Sequence, residues 1–275
     1  MPSVDQKRIA EQLKTEGNKL FRMGRYDAAA DQYTEALALW PGWTVPLVNR
    51  AFCHKKKGNW TGVERDCRKA LEINAGEFKA HYFLGQALEQ QNAYTEAVSH
   101  LAKALETARE KDDSIKDEIW KELARIKYGA WQQQAAARAA ERAMLRQQLD
   151  KMLSERHDRE LNVATDVDAL REKHAQDRKA WDRLFELAAR QDEPEEIPNA
   201  FTCRLTMDVF REPVCTPSGL SYERTALLEH LQKVGSFDPV SRDPCTADMI
   251  IPNLGLRDAT QEYLEEHPWS WKECL

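Results

Sequence analysis

The chain has 275 residues, of which 42% are hydrophobic and 31% are charged, and its formal net charge is −6. This composition predicts two modest domains with a connector, and so small a negative charge indicates neither nucleic acid nor an anionic membrane as a partner. No apolar run approaches the roughly 20 residues that a membrane span requires. The first residues also lack the apolar core of a secretion signal, so we expect a cytoplasmic protein.

Residues 7–108 repeat with a period of 34 residues, in units of about 7–41, 42–75 and 76–108. Equivalent positions hold small residues at Gly17, Ala51 and Gly85, turn residues at Gly24, Gly58 and Asn92, and aromatic residues at Tyr26, Trp60 and Tyr94. This spacing resembles the tetratricopeptide repeat, in which each unit is a helical hairpin that must stack on its neighbours to bury its apolar face. We therefore expect a curved solenoid of three helical pairs.

Polar residues of the three units fall on one stripe when all units are superimposed on a single period. After 34 is subtracted from the second unit and 68 from the third, the stripe is formed by Lys79, Lys14, Asn49 and Asn18, at positions 11, 14, 15 and 18. These positions follow the i, i+3, i+4, i+7 pattern of one helix face. Two ammonium groups and two carboxamides in one groove suit a carboxylate ligand. Tyr82 and Phe83, at positions 14 and 15, could hold an aliphatic side chain beside it.

This set of residues resembles the carboxylate clamp of chaperone-binding tetratricopeptide domains. Members of that family capture the C-terminal Glu-Glu-Val-Asp tail of heat-shock chaperones, which is a form of terminal-carboxylate recognition. The resemblance implies a further clamp residue just after the third unit, either Asp117 or Glu118. The alternative is that each lysine is merely solvated and that Asn18 only packs, but four such residues on one stripe favour the clamp.

Residues 109–193 are predicted to be a charged helical segment, because 130–193 contains neither Gly nor Pro and is rich in helix-forming residues. A second helix is expected to start near Thr165, which Asp168 follows three residues later. We expect an antiparallel helical hairpin, with one continuous helix as the alternative. Three large side chains should pack against the partner helix, the end of the solenoid or a second subunit, namely Trp120, Trp131 and Trp181.

Residues 197–270 predict a small α+β domain. Strands are expected at 214–216 and 220–222, a helix at 223–234 and a final helix at 256–266. The segment resembles a U-box, the zinc-free relative of the RING domain, through Arg211-Glu212-Pro213-Val214, Phe237-Asp238-Pro239 and Ile251-Pro252-Asn253-Leu254.

A zinc-bound RING is the alternative for this last domain, and it needs eight ligands that arrive largely in close pairs. Residues 197–275 offer four cysteines and two histidines, and no two of the cysteines form a Cys-x-x-Cys pair. We therefore expect neither metal nor cofactor, with Cys203, Cys215 and Cys245 in the core and His230 bonded at a helix–loop junction. In U-boxes, hydrogen bonds and salt bridges hold the loops, and the candidates for that network are Arg211, Glu212, Asp238 and Arg242.

The U-box resemblance also implies residue roles. A shallow groove for a ubiquitin-conjugating enzyme corresponds to Leu205, Met207 and Pro239, and Asn253 lies on the same face in the family. Arg242 corresponds to a donor that bridges the conjugating enzyme and its ubiquitin, a task that suits a planar guanidinium. No nucleophile is implied, since such domains act by orienting the loaded enzyme.

Clamp-type repeats, a helical middle and a U-box, in this order, resemble the co-chaperone ubiquitin ligases of the CHIP type. The resemblance implies a mainly α homodimer that docks on chaperone tails and promotes transfer of ubiquitin to the client proteins they hold. Two alternatives stay open at this point. One is a non-enzymatic chaperone-binding adaptor, and the other is an adaptor whose groove binds an internal peptide.

Overall fold

The computed structural model describes residues 2–111, 113–163, 165–190 and 192–275. The chain divides into two compact units, of which the first ends at Lys127 and the second begins at Tyr128.

Three antiparallel helix pairs form the first unit and confirm the predicted solenoid. The pairs are α1 (Val4–Arg22) with α2 (Tyr26–Leu39), α3 (Thr44–Lys56) with α4 (Trp60–Ile73), and α5 (Phe78–Gln90) with α6 (Tyr94–Glu110). Their small residues mark close crossings, because a Cβ at Gly17 would lie 2.7 Å from Tyr33 Cε1 and one at Gly85 would lie 2.6 Å from Leu101 Cγ. The turn inside each pair has a left-handed residue, at Gly24, Gly58 and Asn92.

A seventh helix, α7 (Lys116–Leu161), contributes its first turns to the same unit. On α7, Arg125 donates to both carboxylate oxygens of Glu89 on α5, at 2.6 and 2.5 Å. The packed unit therefore extends past the predicted boundary at 108, because α7 supplies the apolar cover that a terminal repeat needs. The buried residues of this cover are Ile119, Trp120, Leu123, Ala124 and Ile126.

In the second unit, the rest of α7 and α8 (Val167–Arg190) form an antiparallel hairpin. Arg146 pairs with Asp182 at 2.5 Å, and Glu160 pairs with His174 at 2.9 Å. The later residue of α7 thus pairs with the earlier residue of α8, as two antiparallel helices require. The Ala169 N–H donates to Asp166 Oδ1 at 3.0 Å, so Asp166 caps α8 rather than Thr165. The structure thus has the expected hairpin and excludes the alternative of one continuous helix. Trp131 stacks on Tyr128 in α7, and Trp181 stays exposed.

The last domain has a three-stranded antiparallel sheet in the order β2-β1-β3, flanked by two helices. Its elements are β1 (Pro213–Cys215), β2 (Ser221–Glu223), α9 (Arg224–Lys233), β3 (Ile251–Pro252) and α10 (Leu254–Glu266). The two predicted strands lie within one residue of β1 and β2, and β3 was not predicted. Cys203, Phe210, Val214, Tyr222 and Leu227 form the core between the sheet and α9.

Candidate functional site

The groove of the first unit brings the two predicted carboxamides together. Asn18 Oδ1 accepts a hydrogen bond from Asn49 Nδ2 at 3.1 Å and another from Tyr33 OH at 2.7 Å. Burial raises the pKa of Tyr33 to about 12, so its hydroxyl stays protonated and donates. The two asparagines, with Phe21 and Phe52, line a cavity of about 220 Å³. Each carboxamide carries two N–H donors, so the pair retains donors for a ligand.

The two predicted lysines lie on aromatic rings. Lys14 Nζ is 5.3 Å from the centroid of the Trp43 ring, and Lys79 Nζ is 5.7 Å from that of Phe78. In the part of the chain that the structure describes, neither ammonium has a carboxylate oxygen within 4 Å. Both charges are therefore held by weak cation–π contacts and remain available to an anionic ligand.

An aromatic ladder crosses the first helices of the three pairs. Phe21 on α1, Phe52 on α3 and Phe83 on α5 follow each other at ring-centroid distances of 4.8 and 5.2 Å. Tyr82 is only 2% exposed, and its hydroxyl donates to Glu118 Oε1 at 2.7 Å. Tyr82 is thus part of the buried base of the groove, which we call the aromatic floor, and does not present the open contact surface that was expected. Of the two acidic candidates after the third unit, Glu118 is the one tied to the groove through this bond.

Lys55 was not predicted to line the groove, yet it lies on the same floor. Its Nζ is 5.4 Å from the Tyr82 ring and 5.3 Å from the Phe83 ring. Burial lowers the pKa of Lys55, and the nearby carboxylates of Glu118 and Glu122 oppose that effect. The sequence signal existed, since Lys55 falls at position 21 of the unit, seven residues past position 14 on the same helix face.

In the second unit, the loop at 202–209 folds around a buried cysteine. The Cys203 N–H donates to Asp208 O, and the Met207 N–H donates to Cys203 O, both at 2.8 Å. Cys203 Sγ accepts from the Leu205 N–H at 3.4 Å. Cys203 is therefore a hydrogen-bond acceptor as well as the predicted core residue. Met207 at the end of this turn has φ of 63°.

The loop at 237–244 repeats this pattern with an aspartate in place of the cysteine. The Asp238 N–H donates to Asp243 O at 2.8 Å, and the Arg242 N–H donates to Asp238 O at 3.0 Å. Asp238 Oδ1 accepts from the Val240 N–H at 2.9 Å, and Arg242 has φ of 65°. Met207 and Arg242 are therefore equivalent positions, as are Leu205 and Val240.

The Asp238 carboxylate ties the second loop to the β1–β2 hairpin. It is 1% exposed and accepts hydrogen bonds from Thr216 Oγ1 at 2.6 Å, Ser218 Oγ at 2.7 Å and Tyr222 OH at 2.7 Å. Burial alone would raise the pKa of Asp238, but these donors and the Ser241 N–H lower it well below its usual range. Asp238 is thus the centre of the predicted loop-holding network.

The other predicted members of that network, Arg211, Glu212 and Arg242, make contacts with groups other than the Asp238 carboxylate. The backbone N–H groups of Arg211 and Glu212 donate to the Glu223 carboxylate at 2.9 and 3.1 Å, so Glu223 is a network residue that the sequence did not reveal. Arg242 is exposed, and its guanidinium lies 4.9 Å from the Phe237 ring centroid. The predicted bond of His230 is present, from Nε2 to Phe237 O at 3.1 Å.

The loops present an apolar surface at the predicted positions. Met207 is 70% exposed and Leu205 is 38% exposed, while Pro239 is half-buried. Val240, which was not predicted, adds an exposed side chain at the position equivalent to Leu205. Asn253 has a structural task, because its Oδ1 accepts from the Leu256 N–H at 3.1 Å and its Nδ2 donates to Ser221 Oγ at 3.0 Å.

Comparisons with known proteins agree with both units. The U-box domain model matches residues 197–269, and the tetratricopeptide repeat model matches residues 78–111. The chain is 40% identical over 267 residues to the E3 ubiquitin-protein ligase CHIP of Arabidopsis thaliana, which covers 96% of each chain. It is 35% identical over 79 residues to the E3 ubiquitin-protein ligase PUB24 of the same plant, covering 28% of this chain and 17% of that one.

A solved structure, the first TPR of Spaghetti (RPAP3) bound to HSP90 peptide SRMEEVD, is 29% identical with a TM-score of 0.40 and covers 44% of this chain and 91% of its own.

A tetratricopeptide solenoid joined to a U-box whose loops are held by hydrogen bonds defines the class of U-box ubiquitin-protein ligases. The chain belongs to the family of the E3 ubiquitin-protein ligase CHIP, with which it aligns over nearly its whole length. The alternative of a non-enzymatic adaptor is accordingly not favoured. No helix within the described ranges combines the length and the apolar character that crossing a bilayer requires.

Proposed function

We propose that the groove of the first unit binds the free C-terminal carboxylate of heat-shock chaperone tails. The observation that carries this proposal is the Asn18–Asn49 pair, which lines a small cavity between α1 and α3. Lys14 and Lys79 supply positive charge, and the half-buried rings of Phe21 and Phe52 supply apolar surface for the side chain next to the terminus. A carboxylate accepts several N–H bonds at once, so a paired amide site with two cations matches a chain terminus better than an internal peptide.

We further propose that the loop surface of the second unit binds a ubiquitin-conjugating enzyme. Leu205, Met207 and Pro239 would provide the apolar contact, joined by Val240 from the equivalent position in the second loop. Met207 has a flexible and polarizable side chain, which suits a surface that must fit more than one partner. Asn253 would act indirectly, by fixing the start of α10 beside β2.

Ubiquitin transfer in this proposal depends on orientation. The exposed Arg242 guanidinium would donate to backbone carbonyls of both the conjugating enzyme and its ubiquitin, and so would restrict the thioester to a reactive pose. Cys203, Cys245 and Cys274 are buried, and burial raises the pKa of Cys245 and Cys274. Such thiols suit core positions rather than a covalent ubiquitin intermediate.

The helical hairpin is proposed to join two copies of the chain in the cytoplasm. Its apolar side chains stay exposed in one copy, which a polar spacer would not need. The exposed set comprises Met144, Leu145, Met152, Trp181, Leu184 and Leu187. A homodimer would bury these residues and would place two loop surfaces in one assembly that acts on chaperone-held clients.

A peptide titration tests the groove. A peptide ending Glu-Glu-Val-Asp is expected to bind the full chain, while the same peptide with an amidated C-terminus should bind at least about tenfold more weakly, since the terminal charge is lost. Asn49→Ala should cause a similar loss for the free peptide. Equal affinity for the free and the amidated peptide would show that the groove does not recognise the terminal carboxylate, and would favour a groove that binds an internal peptide.

A further inference from the structure

Lys55 holds a half-buried positive charge above the aromatic floor of the groove. Its Nζ lies 5.3 Å from the ring centroid of Phe83, 5.4 Å from that of Tyr82 and 5.9 Å from that of Phe52. The faces of aromatic rings attract a cation, so three rings fix this ammonium within the groove instead of leaving it in bulk water.

The carboxylates near Lys55 are engaged by other donors. Glu118 accepts from Tyr82 OH at 2.7 Å, and Glu122 accepts from Gln86 Nε2 at 3.2 Å. Among the residues that the structure describes, no carboxylate oxygen lies within 4 Å of Lys55 Nζ. A partly desolvated ammonium without an ion partner is unfavourable, and a bound anion would offset that cost. Lys55 therefore presents N–H donors to whatever occupies the groove.

Lys55 also lies at a defined distance from the proposed terminal-carboxylate site. It follows Asn49 by six residues on α3, which corresponds to about 9 Å along the helix axis. An extended peptide spans about that distance in three residues. We infer that Lys55 is a further ligand-binding residue, which pairs with an acidic side chain two or three residues before the C-terminus of the bound peptide. This inference rests on the proposed terminal-carboxylate groove.

The assignment of Lys55 is tested by binding titrations of the full chain with peptides that differ in charge. The probes are a peptide ending Glu-Glu-Val-Asp and two peptides in which one or the other Glu is replaced by Gln. Lys55→Met keeps an apolar stem over the rings and removes the charge. We expect it to weaken binding of the parent peptide about five- to tenfold at low salt. We expect it to have little effect on the Gln peptide that already lacks the partner carboxylate.

Two further variants separate the causes of a loss. Lys69→Met removes the same charge from an exposed position on α4, outside the groove, and should bind like the wild type. Lys55→Arg keeps the charge and should retain most of the affinity, which assigns the Lys55→Met loss to the missing charge, while unchanged binding of the Gln peptide by Lys55→Met excludes misfolding. Wild-type affinity in Lys55→Met, or an equal loss for all three peptides, would overturn the assignment. If the wild type binds the amidated and the free peptide with equal affinity, the proposed terminal-carboxylate groove is itself wrong.

Discussion

Met207 and Arg242 occupy the same position in two loops of the U-box and have the same left-handed backbone, with φ of 63° and 65°. In each loop the residue donates its N–H to the carbonyl four residues earlier, at 2.8 Å for Met207 and 3.0 Å for Arg242. A residue with a Cβ in this conformation costs roughly 1–2 kcal/mol, which glycine would avoid. Strained backbone of this kind tends to persist where function requires a side chain. The two loops thus present one apolar and one cationic side chain from equivalent turns.

Substitution of these two residues should separate binding from transfer. Met207→Ala is expected to weaken binding of the conjugating enzyme about tenfold, because Met207 supplies exposed apolar contact area. Arg242→Ala should leave that affinity within about twofold and should slow ubiquitin discharge at least tenfold, since the bridge from Arg242 to ubiquitin can form only with the loaded enzyme. Calorimetry with the unloaded enzyme and single-turnover discharge from the loaded enzyme measure the two effects.

Arg242→Lys is the matched control, because it keeps the charge and loses the planar fork. We expect it to discharge ubiquitin nearly as slowly as Arg242→Ala. If either Arg242 variant discharges ubiquitin at the wild-type rate, Arg242 has no role in the transfer step.

The strain at Met207 predicts an unusual order of stability. Alanine retains the left-handed penalty, whereas glycine does not. Met207→Gly should therefore be more stable than Met207→Ala by about 1 kcal/mol, although glycine is normally the more destabilising replacement. Hydrogen exchange of the β1 and β2 amides in the full chain measures the difference. If the alanine variant is the more stable, the backbone at Met207 is not strained in solution.

Asp238 should make the U-box sensitive to acid. Its pKa in the folded chain lies below its ordinary value of 3.8, so the unfolded chain binds more protons between these two values. The stabilisation is complete above the unfolded pKa and is lost as the pH falls towards the folded pKa. Asp238→Asn cannot accept the same set of hydrogen bonds and should destabilise the domain by about 3 kcal/mol at neutral pH.

Exchange of the β1 and β2 amides across that acid range measures the effect of Asp238. The difference between the wild type and Asp238→Asn should shrink as the pH falls. A difference that stays constant would show that the carboxylate charge is unimportant there.

The histidine pair between α5 and α6 should destabilise the solenoid at mildly acidic pH. His81 Nδ1 lies 2.8 Å from His100 Nδ1, and burial lowers the pKa of both rings below 6.5, with a smaller effect of His81 on His100. Below that pH the unfolded chain takes up protons that the folded chain resists, so stability falls as the pH falls. Exchange protection of α5 should therefore decrease between about pH 7 and about pH 5.

His100→Gln removes one of the two titrating rings and should flatten this dependence. Since His81 stays in the packed unit, where burial lowers its pKa, part of the acid response should remain. A pH dependence identical to that of the wild type would assign the acid response to other groups, such as His54, whose pKa is also lowered by burial.

The sequence predicted the features that a repeat or a turn residue marks. Asn18 and Asn49 could be paired because each holds a fixed position in the 34-residue period, and Asp238 could be named because it lies in a characteristic loop. The equivalence of the two loops was not visible, since 202–209 and 237–244 share only the aspartate at Asp208 and Asp243. It depends on backbone hydrogen bonds, which many side chains can accompany.

Three other features depended on packing in space. The β3 strand has only two residues and exists because the Asn253 N–H and its neighbours pair with β1, so no alternating pattern could mark it. Glu223 was expected only as the first residue of a helix, yet its carboxylate accepts hydrogen bonds from the backbone N–H groups of Arg211 and Glu212 in the preceding loop. Lys55 falls on the same helix face as the predicted stripe, but its position in the groove depends on rings from α5, which lie about thirty residues away in the chain.

The central claim is that one chain binds a free acidic terminus and promotes ubiquitin transfer to a protein that this terminus brings to the U-box. The most direct measurement is the rate of ubiquitination, with purified activating and conjugating enzymes, of a globular substrate fused to a C-terminal Glu-Glu-Val-Asp tail. The control substrate has one glycine added after the aspartate. The account predicts at least about tenfold faster modification of the free-tail substrate, with equal autoubiquitination in both reactions, whereas equal rates for the two substrates would contradict it.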